Sequence, residues 1–260
     1  MTMGNVSPTK RFLVTFLLIT LSCEGIGKSM PSSLKKETKC AVFVPDARTI
    51  VQKNPVAASL GAKTIDSLQT EVCRDGSCDI SLCFALDGSG SISAEEYQVQ
   101  KDLVKLIAIL AAPANATFSA VQYGLANEFI SVSTSDPFAF MKYVDNSVLL
   151  RAPRTFLTAG LGFCISQVNE NPKAGGKKVV VLGDGRDNYM ESSLALVLKS
   201  AESVDIFAVG IGNSLDTQKL LEITGGQKNH VYTASNYADV GQVVVDLVRA
   251  LCSVPEAVEG

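Results

Sequence analysis

The sequence predicts an α/β fold, a doubly wound and mostly parallel sheet with helices on both faces and one antiparallel edge strand. Three observations predict it. Short, continuously apolar segments recur along the chain, and runs without polar alternation suit strands buried on both faces. Segments of helical periodicity separate them, so strand and helix alternate over residues 79–251. One pair of apolar segments is joined by too few residues for a crossover helix, which forces an antiparallel hairpin at an edge.

Each element can be read in order. The first strand is Ile80–Leu86, and Ser93 with Glu96 forms a capping box that opens a helix with Leu103, Val104, Ile107 and Leu110 on its apolar face. Phe118–Gly124 and Asn127–Val132 make the hairpin. Helix Thr158–Val168 leads to strand Lys178–Leu182, and helix Ser192–Ser200 to strand Val204–Gly210. Helix Leu215–Thr224 ends at Gly225, and a strand at His230–Thr233 precedes the last helix, Ala238–Leu251.

Outside this alternation lie three segments. Lys10 and Arg11 precede the apolar run Phe12–Leu21, followed by Ser22, Cys23, Gly25 and Gly27. A span needs about 20 apolar residues, so residues 1–27 read as a signal peptide and the protein as secreted. No later segment reaches transmembrane length. Residues 28–72 carry seven basic and four acidic side chains without sustained periodicity, an N-terminal extension of short elements. The α/β domain then occupies 73–253, with a polar tail at 254–260.

Composition excludes several functions. The 260 residues carry 23 Lys+Arg against 26 Asp+Glu, net −3, with no long basic run to hold nucleic acid by its phosphates. His230 is the only histidine, which removes any site needing two imidazoles and leaves His230 as a strand-edge residue. No Gly-x-Ser-x-Gly elbow and no Gly-x-x-x-x-Gly-Lys loop occurs. Gly210-Ile211-Gly212 lacks the third glycine of a dinucleotide loop. The chain is therefore expected to be no enzyme. Removing Cys23 with the leader leaves six cysteines, Cys40, Cys73, Cys78, Cys83, Cys164 and Cys252, an even count suited to disulfides in an oxidising compartment. Asn115-Ala116-Thr117 is a glycosylation sequon.

In a doubly wound sheet, ligands bind at the carboxyl ends of the strands where strand order reverses. The first strand runs into Asp87-Gly88-Ser89-Gly90-Ser91, and the valine-rich strand into Gly183-Asp184-Gly185. Arg154-Thr155-Phe156-Leu157-Thr158 precedes a helix. Asp87, Ser89 and Ser91, two residues apart, can aim their oxygens to one side of a tight turn. Two carboxylates with hydroxyls make an all-oxygen set suited to Mg²⁺ or Ca²⁺ (Mn²⁺ is similar) and unsuited to zinc. Asp187 reads as a solvated loop charge.

These three elements, in this order, resemble the metal-ion-dependent adhesion site of the von Willebrand factor type A domain, over Asp79 to Leu251. The resemblance implies that Ser89 and Ser91 contact the cation and that Asp87 and Asp184 act mostly through water. Thr155 would enter and leave with ligand state. It also implies a protein partner that places an acidic side chain on the metal. Thr158 competes for the Thr155 role, but is better placed to cap the next helix. Gly183 stands where the family usually has a hydroxyl residue, which would loosen that loop. Cysteine-flanked versions in secreted adhesins, including micronemal adhesins of apicomplexan parasites and similar protist proteins, are similar, and such domains are tied at their ends. That implies Cys78–Cys252, with Cys252 to Cys73 as the competing arrangement. Cys83 and Cys164 either pair across the sheet–helix interface or are plain buried thiols, leaving Cys40 for Cys73. A binding module whose contacts do not use the metal is the alternative reading.

Overall fold

The sheet is organised around its central strand. In the computed structural model, which describes residues 46–75, 79–173, 176–188, 190–235 and 237–252, strand β1 (Ser81–Asp87) is buried at every position. It lies parallel to β2 (Thr117–Tyr123) on one side and β4 (Lys177–Gly183) on the other. Outward from these lie antiparallel β3 (Glu128–Thr134), next to β2, and parallel β5 (Val204–Ile211) and β6 (Val231–Ala234), giving the order β3-β2-β1-β4-β5-β6. Strand order reverses between β1 and β4, which places the switch point at the carboxyl end of β1. The predicted mostly parallel sheet with one antiparallel edge is thus what forms.

Nine α-helices are described: α1 (Ala47–Lys53), α2 (Pro55–Leu60), α3 (Ala62–Asp75), α4 (Ala94–Ala111), α5 (Pro137–Asn146), α6 (Leu157–Glu170), α7 (Met190–Lys199), α8 (Thr217–Ile223) and α9 (Tyr237–Cys252). Alternate side chains of a strand point to opposite faces, and β1 shows the consequence. Leu82, Phe84 and Leu86 join one core with α4, α5 and α9, whereas Cys83 and Ala85 join the other with Leu157, Leu161 and Leu220 of α6 and α8. Phe140 of α5 fills the first core, its ring 5.8 Å from Phe84 and 5.5 Å from Phe118.

The extension is helical where it is described. Asn54 caps α2, its side chain accepting from the Val56 and Ala57 amides while Pro55 takes the first helical position. Its amide also donates to Asp102 O at 2.7 Å, so α2 is pinned to α4. Val56, Ala57, Ile65, Leu68 and Val72 are buried in the same core as Leu106, Val244 and Leu251. The expected signal peptide at 1–27, Cys40, Cys78, the Cys73 side chain and the tail lie outside the described residues. No described helix is long and apolar enough to cross a membrane.

Cys83 and Cys164 form a disulfide, Cα to Cα 5.3 Å, which decides between a bridge and two thiols in favour of the bridge. Cys252 is also disulfide-bonded.

Candidate functional site

Three loops at the carboxyl edge of the sheet are stitched together by backbone bonds. Gly88 N donates to Tyr123 O (2.8 Å), Ala152 N to Gly88 O (2.9 Å) and Gly90 N to Ala152 O (2.7 Å), which holds the loop after β1 against the segment before α6. Gly88 has to be glycine, because a Cβ there would come within 2.5 Å of Gln122 Oε1. Thr155 N donates to Asn188 Oδ1 (2.8 Å) and Asn188 N returns a bond to Thr155 O (3.1 Å), which ties in the loop after β4.

Asp87 stands at the centre and is fully buried. Its amide donates to Gln100 Oε1 of α4 at 2.9 Å, and its Oδ1 accepts from Ser89 N at 2.8 Å. The neighbouring Tyr123 hydroxyl gives its proton to Leu182 O (2.9 Å), so Asp87 Oδ2 has no hydrogen-bond partner among the described residues. Burial pushes the Asp87 carboxyl up to about 7, and the Asp184 charge adds to the rise, against the opposing bonds from Ser89 and the nearby Tyr123 hydroxyl. The Ser89 and Ser91 hydroxyls lie 2.9 Å apart, and Ser91 donates to Asp184 Oδ2 at 2.9 Å. Asp184 Oδ1 accepts from Arg186 N at 2.9 Å, and the Arg186 guanidinium stands 3.8 Å from Oδ2.

The structure therefore brings Asp87, Ser89, Ser91 and Asp184 into one chain of oxygens, with Thr155 on the adjoining loop, buried and backbone-fixed. The donors are all oxygen and include two buried carboxylates, and a buried Oδ2 without a partner is an atom that a cation would satisfy. The residues present fit a hard divalent ion.

Three local expectations need correction. Gly183 does not loosen its loop. It lets β4 close onto the site, where a Cβ would fall 2.4 Å from Tyr123 Oη and 2.7 Å from Asp87 Oδ2. Thr158 is not a cap, since α6 begins at Leu157 and Phe156 occupies the cap position without a side-chain bond. Asp187 supplies the missing acceptor, reaching Thr158 N at 3.4 Å, and so is no free solvated charge. The Thr158 hydroxyl accepts from Ser193 of α7 (3.3 Å), an interhelical contact that leaves Thr155 as the loop threonine. His230 stacks on Phe207 with ring centroids 4.2 Å apart, at the edge of β6. Sequence reasoning missed Gln100, Tyr123, Arg186 and Asn188, whose roles arise from tertiary contacts that carry no motif.

Known proteins share this architecture. The family model of the von Willebrand factor type A domain matches residues 81–246. The mouse collagen alpha-6(VI) chain is 28% identical over 218 residues, 74% of this chain and 9% of that one. Human integrin alpha-D is 24% identical over 189 residues, 68% of this chain and 16% of that one. The chain thus spans less than a fifth of the length of either relative. Among solved structures, proximal thread matrix protein 1 of the mussel byssus superposes with a TM-score of 0.58 at 23% identity, covering 66% of this chain and 48% of that one. A further structure of the mussel protein, TM-score 0.57, is described as having a zinc-occupied MIDAS motif. With the domain match spanning more than half of its residues and the sheet order in place, the chain belongs to the von Willebrand factor type A domain family.

Proposed function

We propose that the protein is a secreted, divalent-cation-dependent binding module, without catalysis, that presents a metal ion to an acidic side chain of a protein partner. One observation carries the reading: a fully buried carboxylate, Asp87, whose Oδ2 has no hydrogen-bond partner among the described residues and whose neighbours are Ser89, Ser91 and Asp184. An uncompensated buried charge is costly, and a bound cation removes that cost. Ser89, Ser91 and Thr155 would supply hydroxyls, and Asp87 and Asp184 the negative charge. Two acids leave a divalent ion short of ligands, so a carboxylate from outside completes it. Mg²⁺ suits these oxygens, with Ca²⁺ and Mn²⁺ as substitutes. The zinc-occupied motif of the structurally similar mussel protein supports a divalent ion here. The relatives, a collagen chain and an integrin chain, support a role in protein binding. The internal disulfide supports an oxidising, extracellular setting, reached through the leader at 1–27.

Calorimetric titration of the purified protein with Mg²⁺, Ca²⁺ and Mn²⁺ tests the reading. Saturable binding of at least one ion is expected. If none binds, a module whose contacts bypass the metal takes its place.

A further inference from the structure

The oxygen cluster has an asymmetric border. On the β2 side, three large apolar side chains are open to solvent: Leu125 (52% exposed), Val148 (77%) and Leu150 (40%). Their positions are fixed by the site itself. Gln122, the residue that packs against Gly88, donates from Nε2 to Val148 O at 3.2 Å and accepts from Leu150 N at 2.8 Å. Two residues on, Ala152 pairs with Ser89. Leu125 follows Gly124, whose Cβ, were it present, would meet Ala152 at 2.5 Å. One buried glutamine and one bridge thus hold an aliphatic shelf beside the oxygens. Exposed apolar side chains grouped beside a polar site, rather than scattered singly, are the kind that mark an interaction surface.

Arginines lie along the same border. Arg151 and Arg154, both exposed, flank Ala152. Arg151 adopts φ +51°, one of two positive-φ residues other than glycine in the described chain. That conformation persists because the residues on both sides, Leu150 and Ala152, are held by hydrogen bonds. Arg186 covers Asp184 from the β4 loop. Nearby acids are mostly committed: Glu96 to the α4 capping box, Asp187 to α6 and Asp216 to the first turn of α8, while Glu95 and Glu128 are exposed. In a net-negative chain, three arginines thus lie along this edge, complementary to an acidic partner.

We propose that the partner segment is an acidic–apolar peptide. One carboxylate meets the cation, a neighbouring Leu, Ile or Phe lies on Leu125, Val148 and Leu150, and a second acid faces Arg151 and Arg154. The proposal rests on the cation-dependent reading above and adds the chemistry of the partner. The shelf supplies buried apolar area, and the arginines select against neutral peptides.

Selection of a random peptide library, displayed on phage, against the full-length protein in Mg²⁺ with elution by EDTA tests it. Eluted peptides are expected to pair two Asp or Glu with an intervening large apolar residue. Val148→Ser with Leu150→Ser should weaken those peptides about tenfold or more while Mg²⁺ binding is retained. Arg151→Gln with Arg154→Gln should remove the preference for the second acid. Acidic peptides without apolar enrichment, or equal binding by the Val148→Ser/Leu150→Ser protein, overturn the shelf and leave the metal reading standing. Absence of any EDTA-sensitive peptide overturns both. A Mg²⁺-dependent dimer dispersed by the same double substitution makes a second copy the occupant and also overturns the proposal.

Discussion

Asp87 and Gly183 are a matched pair, a buried carboxylate and the one residue small enough to pass over it. Replacing Asp87 by Ala is expected to abolish cation binding in titration calorimetry while the thermal unfolding transition remains cooperative. Unchanged affinity in a folded Asp87→Ala protein would falsify its assignment. Gly183→Ala presses a methyl group against Tyr123 Oη and Asp87 Oδ2. A cost of about 1–3 kcal/mol is expected for overpacking, together with weaker cation binding as the carboxylate is displaced. A Gly183→Ala protein that melts and binds like the parent would show that β4 can move aside freely. The two threonines separate similarly. Because the Thr158 hydroxyl is engaged by Ser193, Thr155→Ala should weaken the cation more than Thr158→Ala, and the opposite order would reassign the ligand.

At the scale of elements, the start of α6 depends on a distant loop. Its cap residue contributes no side-chain acceptor, and Asp187 reaches in from beyond β4. Asp187→Ala should cost about 1 kcal/mol, as loss of an N-cap does, measured by denaturant unfolding. The extension helices are held differently. Arg249 and Glu71 form an exposed pair that links α9 to α3, with exposures of 52% and 45%, and such pairs contribute about 0–1 kcal/mol. Leu68 is 1% exposed in the main core, so Leu68→Ala should cost about 2–5 kcal/mol, several times the effect of Arg249→Gln. Comparable losses would mean that charge, not burial, seats α3. Strands β1, β2, β4 and β5 were legible because continuous apolar runs with two buried faces leave few alternatives, and the less buried β3 and β6 from their place in the alternation. The helices α1, α2, α3 and α5 were not. Asn54-Pro55 and Asp136-Pro137 each carry a cap followed by proline, but the helices behind them are short, and their apolar residues meet the core only through tertiary packing. The loop oxygens of the site were legible from their spacing. Their supports, Gln100 and Asn188, were not, because a single amide side chain looks the same whether it holds a loop or faces water.

Across the whole molecule, the parallel strands separate two poles. The oxygen cluster lies at their carboxyl ends. Asn115 precedes β2 at the other pole, its side chain donating to Asp79 Oδ1 (3.0 Å) just before β1. A glycan there would project away from the partner surface. Asn115→Gln is expected to change the electrophoretic mobility of protein expressed through a secretory pathway without changing its cation affinity, and a loss of affinity would place the sugar within reach of the site. The Cys83–Cys164 bridge has a mechanical consequence. Asp87, Ser89, Ser91 and Thr155 all lie between its two cysteines, inside a covalent loop with a sequence separation of 81. Tension applied between β1 and α6 crosses through the sulfur atoms and bypasses the enclosed segment. At about 3.3–3.6 Å per extended residue, the loop hides on the order of 270–290 Å of contour length, which single-molecule pulling should recover only after reduction. A load between β1 and α6 would then leave slack the segment that carries Asp87, Ser89, Ser91 and Thr155, so that force and the oxygen cluster follow separate routes through the fold.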